Sequence, residues 1–418
     1  MKAEKKTRLV VIGGGAAGFF CAVNAARLLP GLEVIILEKT TKILSKVKIS
    51  GGGRCNVTHA CFSIADMVKR YPRGANFLKK SFHHFFTTDT IGWFQSRGVV
   101  LKTEDDGRMF PATDRSQTII DCLLRDVNRY GVEVSMATEV KAIGADKAGG
   151  FVLGLAGERE LKADYVCVAC GGYPKSVMFD WLVQSGHSIE TPVPSLFTFN
   201  MPGNPITQLM GVAVPDTQVK IVGSKLSSNG PLLITHWGLS GPAVLRLSAW
   251  GARELANEQY KFSIMVNWVP AFHENSLREH IQSLRFELAT QKIVNRNPFQ
   301  LPQRLWDYLL EQSGINGQIR WADLPAKEQH KLIKMLCAQE FEVQGKTTFK
   351  EEFVTAGGIR LNEVDASSME SKLLPGLFFA GEILDVDGIT GGFNFQHAWT
   401  SGYIAAVSIA KREGVEVA

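Results

Sequence analysis

A glycine-rich turn near the start of the chain restricts its fold more than any other feature. The apolar run at residues 8–12 is followed by Gly13-x-Gly15-x-x-Gly18, and an apolar segment with helical spacing follows the last glycine. In such a turn the first glycine permits the tight bend, the second lets a diphosphate approach the backbone, and the third lets the helix pack closely on the strand. The sequence therefore predicts a strand, a turn and a helix between residues 8 and 29.

The next strand along the chain ends at an acidic residue. The apolar run 34–37 leads to Glu38, which lies twenty residues after Gly18. A carboxylate at this position can accept hydrogen bonds from ribose hydroxyls, and the N-terminus of the preceding helix offers N–H groups and a positive dipole to a diphosphate. Together these features predict a dinucleotide-binding βαβ unit.

Length and composition limit the class of protein. The chain has 418 residues, which is enough for two or three domains. Its 45% hydrophobic and 21% charged residues exclude disorder along the whole chain, and no apolar run approaches the ~20 residues of a membrane-spanning helix. The net charge of +5 is compatible with an anionic ligand. Seven dispersed cysteines, an odd number, favour reduced thiols and predict a cytoplasmic location.

The pattern of apolar residues changes three times along the chain. Alternating strand and helix patterns cover both ends, a β-rich stretch with Pro and Gly covers about 196–270, and charged, Leu-spaced helical segments cover about 271–345. We therefore expect the two ends to fold together as one discontinuous α/β domain, with the β-rich and helical stretches inserted between them.

A second glycine-rich motif near the C-terminus favours FAD over a nicotinamide dinucleotide. Gly381 and Glu382 directly follow the apolar run 377–380, and Asp385 lies three residues further on. A carboxylate just past a buried strand can hold a ribityl chain. The helix that begins near Asn394 can direct its N-terminus at the electron-rich pyrimidine edge of a reduced flavin.

Three long segments identify a family resemblance. SGGGRCNVT at residues 50–58, THWGLSGPAVL at 235–245 and the tail VTAGGIRL…GLFFAGEILDVDGITGGFNFQHAW resemble the HI0933-like FAD-binding flavoproteins over essentially the whole chain. The resemblance implies an α/β fold with a discontinuous Rossmann-like FAD-binding domain (1–195 plus 346–418), an inserted β-barrel-like domain (196–270, continuing to about 345–355) and a helical subdomain (271–345). It also implies a flavin-dependent oxidoreductase, with relatives linked to amine oxidation or to bile-acid reduction.

The resemblance also implies which residues contact a non-covalent FAD. The diphosphate would contact Gly13, Gly15, Ala16, Ala17 and Gly18, and the adenosine ribose would contact Glu38 and Lys39. Lys46 would supply a basic group, the middle of the cofactor would contact Gly53, Arg54, Cys55 and Asn56, and the adenine would contact the backbone of Val140. The flavin would contact Gly171, Gly381, Glu382, Asp385, Gly392, Phe393 and Asn394. One loop departs from the family pattern: after Gly172 the chain reads YPKSVMFDWL, where relatives have a glycine-containing S-x-P-x-x-G loop.

The sequence assigns no catalytic residue, but it offers four candidates. His236 and Trp237 either face the open side of the flavin or pack within the inserted domain. Arg108 and Arg115 either hold an anionic substrate or lie in a solvated loop. The histidines and cysteines lack metal-ligand spacing, so we expect no metal site.

These features predict an FAD-dependent oxidoreductase that transfers a hydride at flavin N5 to or from a small-molecule substrate. Either a small amine is oxidised, or NAD(P)H reduces the flavin, which then reduces the substrate. The sequence lacks a second Gly-x-Gly-x-x-Gly unit that could form a dedicated nicotinamide-binding domain, so NAD(P)H would bind only transiently. The alternatives are an RNA-associated flavoprotein and a non-catalytic flavin-binding regulator. We do not expect nucleic acid as a partner, because no basic stripe is interleaved with aromatic residues. The sequence does not define the oligomeric state.

Overall fold

The computed structural model describes residues 7–348 and 354–417. They divide into two compact units, one made of residues 7–194 with 354–417 and the other of residues 195–348. The first unit therefore draws on both ends of the chain. The further division of the second unit into a barrel-like domain and a helical subdomain stays a prediction.

The elements have the following bounds. The helices are α1 (Ala16–Leu28), α2 (Ser45–Gly53), α3 (Ile64–Met67), α4 (Ala75–Ser81), α5 (Thr87–Gln95), α6 (Ser116–Tyr130), α7 (Asp180–Val183), α8 (Pro242–Trp250), α9 (Ala252–Asn257), α10 (Glu274–Glu287), α11 (Gln303–Gln312), α12 (Ala326–Cys337) and α13 (Phe393–Arg412). The strands are β1 (Arg8–Ile12), β2 (Glu33–Leu37), β3 (Thr58–His59), β4 (Leu101–Thr103), β5 (Arg108–Pro111), β6 (Glu133–Ser135), β7 (Val140–Ala145), β8 (Phe151–Leu155), β9 (Arg159–Ala163), β10 (Tyr165–Val168), β11 (Ile189–Ser195), β12 (Thr198–Asn200), β13 (Ala213–Ile221), β14 (Ser227–Thr235), β15 (Gly238–Ser240), β16 (Lys261–Asn267), β17 (Gln339–Gln344), β18 (Lys346–Thr347), β19 (Val354–Ile359) and β20 (Leu377–Phe379). In the described part of the chain, a helix of the length and apolarity needed to cross a membrane is absent.

A parallel sheet forms the centre of the first unit. Its strands lie in the order β20-β10-β1-β2-β6, and every neighbouring pair is parallel. The chain moves outward from β1 through β2 to β6, and later strands add on the other side of β1. All carboxyl ends therefore lie at one edge, and the order reverses beside β1, where such folds bind their ligands. The Rossmann-like fold predicted from the sequence is confirmed.

Apolar side chains on both faces hold this sheet in place. The last four residues of β1 and of β2 are buried, as expected for central parallel strands. Helix α1 packs along α13. Between them Phe20 meets Trp93, Phe94 and Trp399, with ring centroids 4.5–6.5 Å apart. This aromatic cluster joins the N-terminal and C-terminal parts of the chain into one core.

The second unit contains an antiparallel sheet that closes on itself. Its order is β17-β16-β13-β14-β15-β12-β18. The two end strands are separated in sequence only by Gly345, whose N–H donates to Tyr260 (2.8 Å) and whose carbonyl accepts from Asn200 (3.0 Å). Because Tyr260 directly precedes β16 and Asn200 ends β12, the two edges of the sheet meet, which produces the barrel-like closure that the family resemblance implies.

Two helices interrupt the stretch that the sequence pattern describes as extended. Helix α8 begins at Pro242, directly after Gly241, and α9 follows it. Proline is well suited to the first helical position because its missing N–H would have no partner there. The Gly241-Pro242 pair, which lies in the stretch predicted to be extended, is therefore the start of a helix.

Helices α10 to α12 share one hydrophobic core with this sheet. Trp306 and Trp321, from the helical stretch, and Trp268, which follows β16, are all at most 1% exposed and belong to the same apolar cluster. The indole N–H of Trp268 donates to the Gln339 side chain at 2.7 Å, so this buried polar group is satisfied.

The Trp268–Gln339 hydrogen bond gives a test of this core. Gln339→Leu leaves the indole N–H buried without its acceptor, and we expect the free energy of unfolding to fall by about 1–3 kcal/mol. Trp268→Phe removes the donor but also packed volume, so Gln339→Leu should cost less stability in the Trp268→Phe background than in the wild type. Urea unfolding followed by circular dichroism measures both costs. An equal cost of Gln339→Leu in the two backgrounds would contradict this account.

Candidate cofactor site

The turn between β1 and α1 contains two glycines that the packing of the protein itself requires. Gly13 has φ +117°, and a Cβ there would lie 2.5 Å from the carbonyl oxygen of Ala169. A Cβ on Gly18 would lie 2.0 Å from the carbonyl oxygen of Gly13. The tight turn and the close approach of helix to strand thus have a steric cause inside the protein.

Gly15 differs from both of these glycines. Its backbone is extended, and a Cβ would meet nothing within 4 Å. It is the N-cap of α1 and has no side chain, so no capping side chain accepts from the N–H groups of the first helical turn. Space in front of an uncapped helix N-terminus fits a diphosphate, which supplies the ligand that the protein does not.

Glu38 lies at the end of β2 beside this turn. Its Oε2 accepts from the N–H of Gly14 at 2.9 Å, and its Oε1 accepts from the N–H and hydroxyl of Thr40 at 2.8 and 2.9 Å. These bonds fix the carboxylate, which has further lone pairs for ribose hydroxyls. The carbonyl of Glu38 accepts from Thr138 at 2.9 Å, which brings Val140, two residues on, close to this end of the site.

In the loop after Gly172, where the sequence departs from the family pattern, the ring of Tyr173 turns inward while residues 174–177 are exposed. Tyr173 is buried, its ring packs edge-on against Phe179 at 4.9 Å, and its hydroxyl donates to the Cys170 thiol at 3.2 Å. The ammonium of Lys39 lies 5.1 Å from the centre of the Tyr173 ring. A cation on an aromatic face therefore joins this loop to the residue after Glu38. Sequence reasoning missed this contact, because it predicts Lys39 only at the ribose edge.

The glycine-rich segment at residues 50–56 leaves the helical conformation at Ser50. Cys55 follows with φ 64° and is fully buried, and burial raises the pKa of its thiol to about 12. The thiol therefore stays protonated, and it is poorly suited to attack a flavin or a disulfide. Arg54 stacks 4.0 Å from the centre of the Phe110 ring and pairs with Glu104 at 2.5 Å.

The C-terminal motif meets the first turn at the edge of the sheet. Gly381, directly after β20, donates its N–H to the Ser401 hydroxyl at 2.8 Å. Its carbonyl accepts from Nε2 of the fully buried His397 at 3.1 Å. Glu382 pairs with Lys46 at 2.5 Å, so α2 is tied to this motif. Gly13, Gly171 and Gly381 thus follow the neighbouring strands β1, β10 and β20 at one edge of the sheet.

A network of polar contacts fixes the start of α13. The side-chain oxygen of Asn56, with its amide oriented to suit its neighbours, accepts from the N–H of Gly392 at 3.0 Å. The Asn394 amide holds both the N–H and the carbonyl of Gly388, at 2.7 and 3.0 Å. The ring of His59 stacks on Phe393 at 4.7 Å. The structure therefore brings Asn56, from the segment 50–56, together with the C-terminal residues 392–394 at the N-terminus of α13.

One buried ion pair in this region has no signal in the sequence analysis. Asp387 is fully buried, and both of its carboxylate oxygens accept from the guanidinium of Arg73. The neighbouring Asp385 is half-buried, and its N–H donates to Ile359 at 3.1 Å. A bidentate pair of this kind fixes the loop before α13. The sequence offers only the acidic run DVDG, which does not show that an arginine 314 residues earlier is the partner.

The four catalytic candidates stay predictions. Arg108 already pairs with Glu104 at 3.0 Å and with Asp106 at 2.7 Å, which reduces its capacity to hold an anion. Arg115 is exposed before α6, where it forms no ion pair with any residue that the structure describes. His236 and Trp237 lie in the second unit, with ring centroids 4.0 Å apart in an edge-on arrangement.

The two kinds of glycine in the first turn allow a matched test. Gly15→Ala should lower the stability of the apoprotein by less than about 1 kcal/mol. It should weaken FAD binding about tenfold or more, because its methyl group enters the space left for the diphosphate. Gly18→Ala should cost about 2 kcal/mol of stability through its clash with Gly13. Urea unfolding of the apoproteins and FAD titration separate the two effects. Unchanged FAD affinity in Gly15→Ala would contradict the assignment.

His397 predicts a pH dependence of stability. Burial lowers the pKa of its imidazole to about 4, whereas the unfolded chain titrates near 6.5. The unfolded state therefore binds more protons below about pH 6.5, and stability is lost as the pH falls from there toward 4. We expect a loss of about 2 kcal/mol by about pH 5.

His397→Asn should remove this part of the pH dependence, while the exposed His83→Asn should retain it. Urea unfolding of the apoproteins at neutral pH and near pH 5 measures the difference. The same pH dependence in all three proteins would show that His397 is not its source.

The chain matches known proteins over nearly its full length. The family model for the HI0933-like protein Rossmann domain matches residues 7–408. A 3-dehydro-bile acid delta(4,6)-reductase of Clostridium scindens is 29% identical, over 97% of this chain and 99% of the relative. A ribosomal RNA dihydrouridine synthase of Escherichia coli is 30% identical over 95% and 96%, and one of Haemophilus influenzae is 28% identical over 96% and 98%.

Solved structures share the fold. A flavocytochrome c3 fumarate reductase in its open conformation has a TM-score of 0.51 at 16% identity, covering 98% of this chain and 79% of that one. A 3-ketosteroid delta1-dehydrogenase from Sterolibacterium denitrificans has a TM-score of 0.50 at 12% identity, covering 97% and 99%. With the family model over residues 7–408 and a bile-acid reductase related over nearly the whole chain, the chain belongs to the HI0933-like family and is an FAD-dependent oxidoreductase.

Proposed function

We propose that this protein reduces a carbon–carbon double bond conjugated to a carbonyl group, with NAD(P)H as the reductant. The observation that carries the proposal is the reaction that its full-length relatives have in common. One relative is named as a reductase of a 3-dehydro-bile acid, and two are named as synthases of dihydrouridine in ribosomal RNA. Their substrates differ in size and charge, yet the bond that changes is of one kind.

The two named reactions act on the same kind of bond, a carbon–carbon double bond conjugated to a carbonyl group. A 3-oxo steroid with double bonds at positions 4 and 6 is a conjugated dienone, and uridine carries its C5–C6 double bond next to the C4 carbonyl. In both cases a hydride adds to the electron-poor carbon of a conjugated double bond, and a proton adds to the other carbon of the same bond. The net reaction consumes one NAD(P)H and one proton and saturates one double bond. FAD, when bound, relays the hydride through N5.

Two helix N-termini and one carboxylate of this chain would hold the cofactor for that relay. The start of α1 would hold the diphosphate, and Glu38 would hold the ribose through the lone pairs that Gly14 and Thr40 leave open. The start of α13, fixed by Asn56 and Asn394, would face the pyrimidine edge with the positive end of a 20-residue helix dipole. A positive potential there favours the anionic reduced flavin.

The proton in this reaction would come from solvent. Burial lowers the pKa of the two buried histidines in the first unit, His187 and His397, so both imidazoles are neutral near neutral pH and are not charged proton donors. Burial also raises the pKa of Tyr71, whose hydroxyl donates to the carbonyl of Phe393 at 2.7 Å. The proposal therefore assigns no side chain as the acid.

The test is anaerobic mixing of the FAD-loaded protein with NADPH and, separately, with NADH. We expect one of them to bleach the flavin absorbance within minutes. A 3-oxo-Δ4,6 steroid acid and a uridine-containing RNA oligonucleotide are then added as two separate acceptors. Return of the flavin absorbance with one of them, together with its saturated product by mass spectrometry, supports the proposal and identifies the substrate class.

The competing amine oxidation has the opposite signature. A flavin that neither nicotinamide bleaches, but that a small primary amine such as aminoacetone does, would overturn the proposal. Free FAD at the same concentration is the control, because it shows how much bleaching requires the protein. The Gly15→Ala variant loaded with less FAD should lose bleaching in proportion to its flavin content.

A further inference from the structure

An arginine-lined groove lies on the first unit. Two adjoining cavities of about 640 and 510 Å³ share Ser96, Arg97, Asp126 and Arg129 in their walls. Arg27 contributes to the first cavity and Arg125 to the second. We refer to these surfaces together as the arginine groove. It is assembled from the end of α1, the end of α5 and the end of α6.

Three of the four arginines in the groove have no carboxylate partner. Arg97 pairs with the buried Asp126 at 2.6 Å and stacks 3.7 Å from the Trp93 ring centre. In the described residues, Arg27, Arg125 and Arg129 form no ion pair. The Nε of Arg27 is buried and has no hydrogen-bond partner there either.

This arrangement differs from that of most other arginines in the unit. Arg8, Arg73, Arg360 and Arg412, for example, each pair with a carboxylate. Asp89 is the other acid in the groove, and its carboxylate accepts from the N–H of Phe86 at 2.7 Å. Four arginines against two aspartates leave an excess of two positive charges.

The arginines are held in place without being neutralised. Arg125 donates from Nη2 to the carbonyl of Arg97 at 3.2 Å, and the Arg129 guanidinium lies 5.6 Å from the Tyr130 ring centre. Both residues are exposed. Planar guanidiniums that keep their charge and free N–H groups are the preferred partners of phosphate oxygens.

The groove is remote from the diphosphate turn. Helix α1 starts at that turn, and Arg27 is in its last turn, roughly 16 Å further along the helix axis. Helix α6 likewise ends where β6 begins, at the opposite edge of the sheet from the glycine turns. A ligand held by these arginines is therefore not the diphosphate of the cofactor.

We propose that the arginine groove binds phosphate groups of a second ligand. The groups are those of an RNA strand or of a small phosphorylated molecule, and these two sources share the chemistry that the arginines recognise. The proposal does not depend on the proposed reduction, because binding can be measured without NAD(P)H and without turnover.

The test uses FAD-loaded protein, so that the diphosphate turn is filled. The variant is Arg125→Gln with Arg129→Gln, both exposed. The control is Arg159→Gln with Lys147→Gln, which removes the same charge from two exposed positions of the β7-β8-β9 sheet in the same unit. Flavin absorbance and the melting temperature verify that both variants fold.

The first readout is binding of a short fluorescent single-stranded RNA over a range of salt. We expect the groove variant to bind about tenfold more weakly and to lose about 1.4 from its salt slope, roughly 0.7 per lost phosphate contact. The second readout is the rise in melting temperature with inorganic pyrophosphate, which should vanish in the groove variant only.

The outcomes separate the two sources. A selective loss of RNA binding supports the groove and identifies a strand as the ligand. A wild-type protein without salt-sensitive RNA binding, but with pyrophosphate stabilisation that only the groove variant loses, supports it with a small phosphorylated ligand. If the groove and control variants respond alike to both ligands, the proposal is overturned. None of these results depends on whether NADPH bleaches the flavin.

Discussion

The close approach of β1, β10 and β20 at their carboxyl ends is the constraint on which the rest of the site depends. The backbone of Ala169 and Cys170 passes so near Gly13 that no side chain fits there. The N–H of Ala169 also donates to Ile12 at 2.8 Å. This contact brings the glycine turn, the loop after β10 and the C-terminal motif to one edge, although they are far apart in sequence.

The contacts that hold the site follow a simple division. Backbone and amide groups hold the polypeptide to itself at Gly392, Gly388 and Gly381, through Asn56, Asn394 and Ser401. The start of α1, in contrast, keeps its N–H groups unpaired by any side-chain cap. A buried or enclosed polar group without a partner is unfavourable, so an anionic ligand would stabilise this helix end where the protein does not. The C-terminal side of the site is thus held by hydrogen bonds within the protein, whereas the start of α1 is left without a capping side chain.

The parts of the fold that sequence reasoning could predict are local ones. The turn at Gly13, the acid at Glu38 and the final helix each depend on residues within about one βαβ unit, where spacing reports geometry directly. The Arg73–Asp387 pair joins residues 314 positions apart, so spacing carries no information about it. Tyr173 illustrates a different limit. An apparently irregular loop becomes a buried aromatic contact because Lys39 and Phe179 happen to face it in three dimensions.

The arginine groove could not be predicted from the sequence either, because its charge depends on which arginines the fold pairs with acids. Along the sequence, its arginines are scattered among acids, and only Arg125 and Arg129 have the i, i+4 spacing that places them on one helix face. The fold adds Arg27 and Arg97 from two other helices, and Asp126 neutralises only Arg97. In the loop that carries Arg108, by contrast, Glu104 and Asp106 pair with the arginine. Whether a basic residue remains able to bind an anion is therefore decided by tertiary pairing, which net charge and linear spacing do not report. This is why a chain with an ordinary charge balance can carry a local excess of positive charge in the arginine groove.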